Sequence, residues 1–290
     1  MDRPALARAA LGESVRLRLA AGLGVESPLD IYDLCASCDV PVRFVDIDME
    51  GMYRRTPTPR IIISALRPLV RRNFTCAHEL GHHVFGHGTT IDGLLEESWL
   101  KPPRVSNEFL AEAFAGFLLM PPMGIRRAYA EREWDVKAAS PEQHYTVACS
   151  FGVGYTTLLS HLCLGLRMLS QERFKELGKA APRTVRATFL GGKSAAPLLV
   201  VDRHWRLLTI DVEIGTELLL PTGYIVEGSI LTKVGDVPFG HVFRATRPGL
   251  ARACSGSGES ARFIRIARFQ YVGLSQYRHL EEGEPDDPLT

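Results

Sequence analysis

Residues 73–88 read NFTCAHELGHHVFGHG, and they contain the most informative pattern of the chain. His78 and His82 are four residues apart, which on an α-helix is about 40° around the axis, so both imidazoles leave the same face one turn apart. Two imidazoles in this relation can converge on one cation, and zinc accepts neutral imidazole nitrogen. Glu79 lies one step round from the first histidine, where its carboxylate can take a proton from a metal-bound water and pass it to a leaving amine. The spacing therefore predicts an HExxH metal site on a helix.

The residues before this pattern predict how its helix is placed. The β-branched run IIIS at 61–64 predicts a short strand that precedes the helix. We expect the helix to extend from Phe74 to Phe85, with Thr75 as its N-cap and two glycines after its end. From its order along the chain, Arg60–Ser64 is a hypothetical edge strand that would hold an extended substrate by backbone pairing.

A catalytic zinc site uses three protein ligands and leaves the fourth position for water. The sequence NEFLAEAFAGFLLMP at 107–121 supplies two candidates, Glu108 and Glu112, on a helix predicted from about Ser106 to Met120. The rest of that helix is apolar, and carboxylates on a core-facing helix need compensation, for which a cation is the strongest kind. The spacing alone leaves the choice between the two glutamates open.

The strings FTCAHELGHHVFGH and ExxAxxFAGFLLMP resemble the ImmA/IrrE family of bacterial metallopeptidases, which has HExxH on one helix and a third glutamate in a helix ending in LLMP. The resemblance is carried by residues 50–122 and extends more loosely to about 180. Counted from the LLMP end, it implies Glu108 as the third ligand and Glu112 as a supporting partner of a ligand or of Glu108. The implied cofactor is Zn²⁺, with Mn²⁺ as the alternative, and Glu79 is the residue that activates water.

Three other side chains near the motif are weaker candidates. His83, His87 and Tyr53 could each donate to the oxyanion that forms on a scissile carbonyl. A histidine at the C-terminal end of a helix more often caps carbonyl groups or favours the helix dipole. Both interpretations stay open at the level of the sequence.

The pattern along the whole chain predicts an α+β protein in three parts. These are a zincin-like metallopeptidase core at 1–125, a helical, helix-turn-helix-like segment at 126–180, and a mainly-β C-terminal domain at 181–290 whose role the sequence does not indicate. From Arg183 onward, period-two runs that begin with VRATFL predict the strands of a β-sandwich or barrel. The zincin-like fold of the core is what the resemblance implies.

Two segments of the chain have features that can occur in nucleic-acid-binding proteins. Residues 144–165, HYTVACSFGVGYTTLLSHLCLG, have a helix-turn-helix texture, with a second helical segment expected within 154–177. That helix contains no lysine or arginine over 154–164, so we interpret it as a helix that supports the fold and not as one that reads DNA. Six arginines between Arg244 and Arg268 stand against one acid, Glu259, and could meet an acidic partner or phosphate, although arginines on strands are usually solvated.

The composition narrows the class of protein further. The chain has 290 residues, 46% of them hydrophobic, and a formal net charge of +1, so no overall field would attract nucleic acid or an anionic membrane. No window reaches the roughly 18 apolar residues of a membrane span, and the N-terminus lacks the features of a secretory signal. Six scattered cysteines, including the pair Cys35 and Cys38, suit free thiols in a reducing, cytoplasmic location better than disulfides or a structural zinc site.

The sequence therefore predicts a cytoplasmic metallopeptidase. By resemblance, its partner is a specific protein substrate, plausibly a helix-turn-helix transcriptional repressor that is cut in a stress response or in a mobile element. Direct nucleic-acid binding and membrane association are not expected. Two rival hypotheses are a peptidase-like module that sequesters a regulator without hydrolysis, and a DNA-binding regulator that uses residues 144–165 and the arginines.

Overall fold

The computed structural model describes residues 2–92, 106–192, 196–256 and 261–281, which form an α+β protein. Helices dominate the first two thirds of the chain, and strands dominate the last third, as predicted. The elements of the first part are α1 (Arg3–Ala20), α2 (Ile31–Ser37), β1 (Val42–Val45), β2 (Gly51–Arg54), β3 (Arg60–Ser64), α3 (Leu69–Val84), β4 (Thr90–Asp92), α4 (Ser106–Leu119) and α5 (Pro122–Ala130).

The strands of this first part belong to one mixed sheet. Within the described chain its order is β13-β1-β3-β2-β4, where β13 (Gly273–Leu274) comes from the C-terminal segment. Strand β3 pairs in parallel with β1 and antiparallel with β2. The hypothesis that Arg60–Ser64 is an edge strand is therefore wrong, because both sides of β3 are already hydrogen-bonded to neighbouring strands.

Helix α3 carries the histidine motif and starts earlier than the sequence suggests. It begins at Leu69, directly after Pro68 in an extended conformation, so the predicted N-cap Thr75 lies inside the helix. The additional first turn holds Arg72, whose side chain is nearly buried and forms a 2.5 Å ion pair with Glu213. Such a tertiary contact lies far away in the sequence, and local capping rules cannot detect it.

Helix α4 follows its predicted bounds closely, and α1 packs against it. Arg18 of α1 is fully buried and donates hydrogen bonds from Nε and Nη2 to the carbonyl oxygen of Leu118. The same guanidinium donates to the carbonyl oxygens of Gly24 and Ser27, so its charge is fully solvated by backbone dipoles. Burial lowers the pKa of Arg18 to about 10, and the group remains charged at neutral pH.

One helical stretch of the described residues, Ser106–Ala130, is long and apolar enough to cross a membrane. It is mostly buried inside the protein, with 61% of its most apolar window covered, and Pro121 separates its two helices. These features are those of helices in the core of a protein.

The middle of the chain is helical and contains the predicted helix-turn-helix shape. Its elements are α6 (Pro141–Ser150), α7 (Tyr155–Ser160) continued by a π-helical turn (His161–Gly165), α8 (Gln171–Leu177) and α9 (Pro182–Phe189). The axis turns by 99° between α6 and α7. The second helix predicted within 154–177 is interrupted after Gly165, and α8 starts again with Ser170 as its N-cap, which accepts from the backbone N–H of Arg173.

The C-terminal part is mainly β, as predicted, but it does not begin with a strand. The run VRATFL lies in α9, because Pro182 starts a helix that buries Val185 and Phe189 one turn apart. The strands that follow are β5 (Leu198–Val200), β6 (Thr209–Glu213), β7 (Glu217–Leu220), β8 (Tyr224–Glu227), β9 (Leu231–Val237), β10 (Gly240–Ala245), β11 (Gly249–Ser255) and β12 (Ala261–Ala267). They form two four-stranded sheets, β5-β7-β10-β9 and β6-β12-β11-β8. The boundaries near 125 and 180 stay predictions.

Candidate metal centre

Helix α3 presents the histidine motif from its most buried stretch. Every residue from Cys76 to His82 is buried, and His82 and Glu79 have no exposed surface. A polar pair this deep in a core requires partners, because burying imidazole and carboxylate groups without compensation is unfavourable. The partner that completes the group comes from α4.

Glu108, at the start of α4, meets the two histidines of α3. Its Oε2 atom lies 3.3 Å from Nε2 of His78 and 3.6 Å from Nε2 of His82. The two Nε2 atoms are 3.0 Å apart. In the described residues these three side chains form the group that can hold a metal ion.

The three distances fit a cation better than they fit mutual hydrogen bonds. Ligand atoms at 2.0–2.1 Å from a tetrahedral zinc are about 3.3 Å from one another, which is the mean of the observed separations. Neutral imidazoles that ligate through Nε2, and an ionised carboxylate, all present lone pairs to the common point. A divalent cation at that point would satisfy all three, and the exposed third of the Glu108 side chain leaves the group open to solvent on one side.

A glycine on α3 allows the two helices to come this close. A Cβ atom on Gly81 would lie 3.1 Å from Cα of Ala111 and 3.1 Å from Cδ1 of Phe114. These separations are tighter than ordinary packing distances, so the backbone of α4 lies directly against this glycine. Since Ala111 is three residues after Glu108, the same contact sets how near the carboxylate comes to the histidines.

A second glycine makes room for Glu79. A Cβ atom on Gly51 of β2 would lie 3.0 Å from Oε1 of Glu79 and 2.6 Å from Cγ2 of Thr75. Strand β2 can therefore pack on α3 only with hydrogen at position 51. This contact confines the carboxylate beside His78. The sequence suggests Gly81 as a small residue beside the ligands and Gly51 as part of a turn, but it does not indicate which residues pack against either glycine.

The further candidates from the sequence lie close to the group but already have partners. His87 Nδ1 is 2.9 Å from His82 Nδ1, so the nitrogen of His82 that faces away from the ligand group is hydrogen-bonded. Tyr53 Oη is 2.9 Å from His83 Nδ1, with the two rings in an edge-to-face contact. Burial lowers the pKa of both His83 and His87. The contact of His87 fixes the orientation and tautomer of a candidate ligand.

Glu108 and Glu112, which the spacing could not separate, have different environments. The contact with the imidazole of His78, and then that with His82, holds the pKa of the Glu108 carboxyl well below its usual range. Burial raises the pKa of Glu112, and within the described residues its carboxylate forms no hydrogen bond or ion pair. The structure thus brings Glu108 to the histidines, while the supporting contact expected of Glu112 is not formed there.

The six arginines between Arg244 and Arg268 form ion pairs or hydrogen bonds within the protein. Arg265 pairs with Asp30, Asp33 and Asp211, and Arg244 with the buried Glu217. The other four contact acidic, hydroxyl or carbonyl oxygens: Arg247 with Ser229, Arg252 with Glu227, Arg262 with backbone carbonyls, and Arg268 with Glu281. Glu259 lies outside the described residues. These contacts do not favour a free basic patch for nucleic acid.

The six cysteines are unpaired as disulfides. Cys35 is buried, with its Sγ atom 3.6 Å from that of Cys76, and Cys38 is partly exposed. Among the described residues neither thiol of the CxxC belongs to a group that can hold a metal.

Part of the chain matches a known family of proteins. Residues 35–162 match the family model described as the IrrE N-terminal-like domain, Peptidase_M78. The matched segment contains α3 and α4 and therefore both helices of the candidate metal centre. It supports a metallopeptidase-like function. No curated protein matches the chain.

Proposed function

We propose that this chain, whose residues 35–162 belong to the ImmA/IrrE family, is a metal-dependent endopeptidase that cuts a specific protein substrate. The observation that carries the proposal is the convergence of two imidazoles and one carboxylate from α3 and α4 beside the buried Glu79. The combination of this donor set with an adjacent carboxylate that is not a ligand is what hydrolysis by a metallopeptidase requires.

Each residue of the centre has a separate role in the proposal. His78, His82 and Glu108 would hold Zn²⁺, and Mn²⁺ is the alternative for this donor set. When bound, the cation would supply Lewis acidity to water and to the scissile carbonyl. Glu79 accepts the proton of the attacking water and later donates it to the leaving amine. The absence of a side chain at Gly51 leaves room for this carboxylate beside the ligands.

The proposed substrate is a helix-turn-helix transcriptional repressor, cut at one site in a stress response or in a mobile-element switch. This choice rests on the family resemblance. The proposed location is the cytoplasm, which the free cysteines support. The chain itself is not proposed to bind DNA, because α7 presents no cation and the arginines of the C-terminal part have partners within the protein.

The test uses the full chain loaded with Zn²⁺ or Mn²⁺ and a small helix-turn-helix repressor encoded beside it. Glu79→Gln is expected to keep stoichiometric metal and to lower the cleavage rate by about 10²–10⁴-fold, because it removes the proton acceptor and leaves the ligands. His82→Ala is expected to lose both metal and cleavage. His241→Ala, a histidine of β10 far along the chain from the motif, is the control and keeps both.

The same variants separate the rival functions. If Glu79→Gln still inactivates the repressor with metal bound and without a cut, the chain acts by sequestration and the peptidase proposal fails. A chain that purifies without metal and has no affinity for zinc or manganese would also refute it. A salt-sensitive gel shift of duplex DNA with the chain alone would support a DNA-binding regulator instead.

A further inference from the structure

A cavity of about 130 Å³ lies one helical turn from the candidate metal centre. Its walls include Phe74 of α3 and Glu112 of α4. Phe74 is four residues before His78 on α3, and Glu112 is four residues after Glu108 on α4. Four residues of an α-helix rise by about 6 Å, so each of these lining residues lies about 6 Å along its helix from a candidate ligand. Both helices therefore continue directly from the metal-binding group into this cavity.

The cavity is apolar on most of its surface and has room for one long side chain. Besides Phe74, the rings of Phe109 and Phe117 and the side chain of Leu164 line it. Its volume is roughly ten times the minimum that a single water needs. A side chain with a long apolar stem would bury that stem against these rings.

Besides the hydroxyl groups of Thr157 and Ser160, the cavity has two polar groups that can accept hydrogen bonds. The Glu112 carboxylate has no hydrogen bond or ion pair to any part of the chain that the structure describes. His161 donates from Nε2 to the carbonyl oxygen of Met120 at 3.0 Å, so its other nitrogen, Nδ1, carries a lone pair. Burial lowers the pKa of His161 to about 4, which keeps this ring neutral at pH 7. A carboxylate and a neutral imidazole nitrogen together suit a ligand that donates and is positively charged.

The position of the His161 ring is built into the fold. A Cβ atom on Gly116 would lie 2.8 Å from His161 Nδ1, and one on Gly165 would lie 2.5 Å from the same atom. Only glycine at both positions allows the ring to occupy the space between α4 and the π-helical turn. Turns of this kind often occur at functional sites.

A cation that contacts one of the aromatic rings of the cavity does not pair with Glu112. The Arg3 guanidinium lies over the ring of Phe109, 5.7 Å from its centroid, and forms no ion pair with Glu112 within the described residues. An unpaired carboxylate among aromatic rings lowers stability, and proteins keep such groups mainly where they function.

We propose that this cavity is a substrate subsite in which Glu112 binds the ammonium or guanidinium group of a lysine or arginine close to the scissile bond. The proposal rests on the peptidase function proposed above and names a feature of its substrate. A separation of about 6 Å from the metal ligands along α4 corresponds to about two residues of an extended peptide. Glu112 is therefore a specificity-determining residue, and Glu108 alone of the two glutamates is a ligand.

The test is the cleavage profile of the zinc-loaded full chain on a peptide pool prepared with chymotrypsin, with cut sites identified by mass spectrometry. The wild type is expected to prefer lysine or arginine at one position within three residues of the cut, by about 10- to 100-fold over methionine or glutamine. Glu112→Gln is expected to abolish this preference with unchanged zinc content, and Glu112→Arg to replace it by a preference for acidic residues. Glu176→Gln, an exposed glutamate of α8, is the matched control.

A second readout is independent of catalysis. Glu112→Gln is expected to raise the thermal midpoint of the zinc-free chain by about 2–4 °C, because it removes a half-buried charge that has no ion pair within the described residues. A lower midpoint would mean that Glu112 supports the fold, and the subsite would be refuted. Cuts without a charge preference, or a preference that survives in Glu112→Gln, would refute the subsite and leave the peptidase. Metal-loaded wild type that cuts neither the pool nor the repressor would refute both.

Discussion

The substitution Gly81→Ala tests whether the close approach of α3 and α4 sets the geometry of the metal centre. The added methyl group would meet Ala111 Cα and Phe114 Cδ1 at 3.1 Å and Ala111 Cβ at 3.3 Å. Two of these three contacts are with the Ala111 residue itself, whose backbone cannot rotate away as a long side chain could. Helix α4 must therefore move by a few tenths of an ångström, and Glu108 moves with it.

Two opposing contributions determine the magnitude. Overpacking of a core contact costs about 1–3 kcal/mol, while replacing a helical glycine by alanine stabilises a helix by about 1 kcal/mol. The control Gly12→Ala isolates the second contribution, because Gly12 lies inside α1 with nothing within 4 Å of its added Cβ. Gly81→Ala is thus expected to be about 1–3 kcal/mol less stable than Gly12→Ala.

The assays are urea unfolding of the zinc-free variants and competition for zinc with a chelating indicator. Zinc affinity is expected to fall by about 10-fold in Gly81→Ala, since disturbing the support of a ligand typically costs 10- to 100-fold. Gly12→Ala should bind zinc as the wild type does. If Gly81→Ala matches Gly12→Ala in stability and the wild type in zinc affinity, the close helix contact does not control the centre.

Two further predictions concern buried charges. Arg72→Met is expected to lower the free energy of unfolding by about 3–5 kcal/mol, because Glu213 would keep a buried charge without its partner. The double variant Arg72→Met with Glu213→Leu should recover most of this stability, and urea unfolding measures both values. His144 contacts the Tyr129 hydroxyl, and burial lowers the pKa of its imidazole to about 4. Between about pH 6.5 and pH 4 the unfolded chain therefore binds more protons at this histidine than the folded chain does. Stability should fall by about 3 kcal/mol over that window, and His144→Phe should flatten the slope; an unchanged slope would contradict this origin.

The motif helix and the second glutamate helix were predictable because their signals are local. The spacing of His78 and His82 places both on one face whatever surrounds them, and the apolar run after Asn107 fixes α4 to within a residue of its observed end. The choice between Glu108 and Glu112 as the third ligand does not depend on local signals. It depends on how α4 is positioned against α3, and that position is set by Gly81 and Ala111 across the interface.

The errors in the secondary structure have a common origin in long-range contacts. VRATFL has the β-branched composition of a strand, yet it is helical because Pro182 starts a turn whose buried residues repeat every four positions. The start of α3 was placed too late because the ion pair of Arg72 joins residues more than a hundred positions apart. Period and propensity describe a segment by itself, and they cannot include partners of this kind.

The same long-range contacts connect the C-terminal part to the helix of the metal centre. Strand β13 completes the sheet on which α3 packs, and Arg72 of α3 reaches Glu213 of β6. A second group joins the N-cap of α2 to β6 and β12, because Asp30 and Asp211 share the guanidinium of Arg265 at 2.7 and 2.6 Å. Burial and the adjacent Asp211 raise the pKa of Asp30 to about 7. Removing residues after 180 would therefore remove buried partners from α2 and α3 together, and a shortened chain should lose stability in both helices, including α3, which carries the histidines.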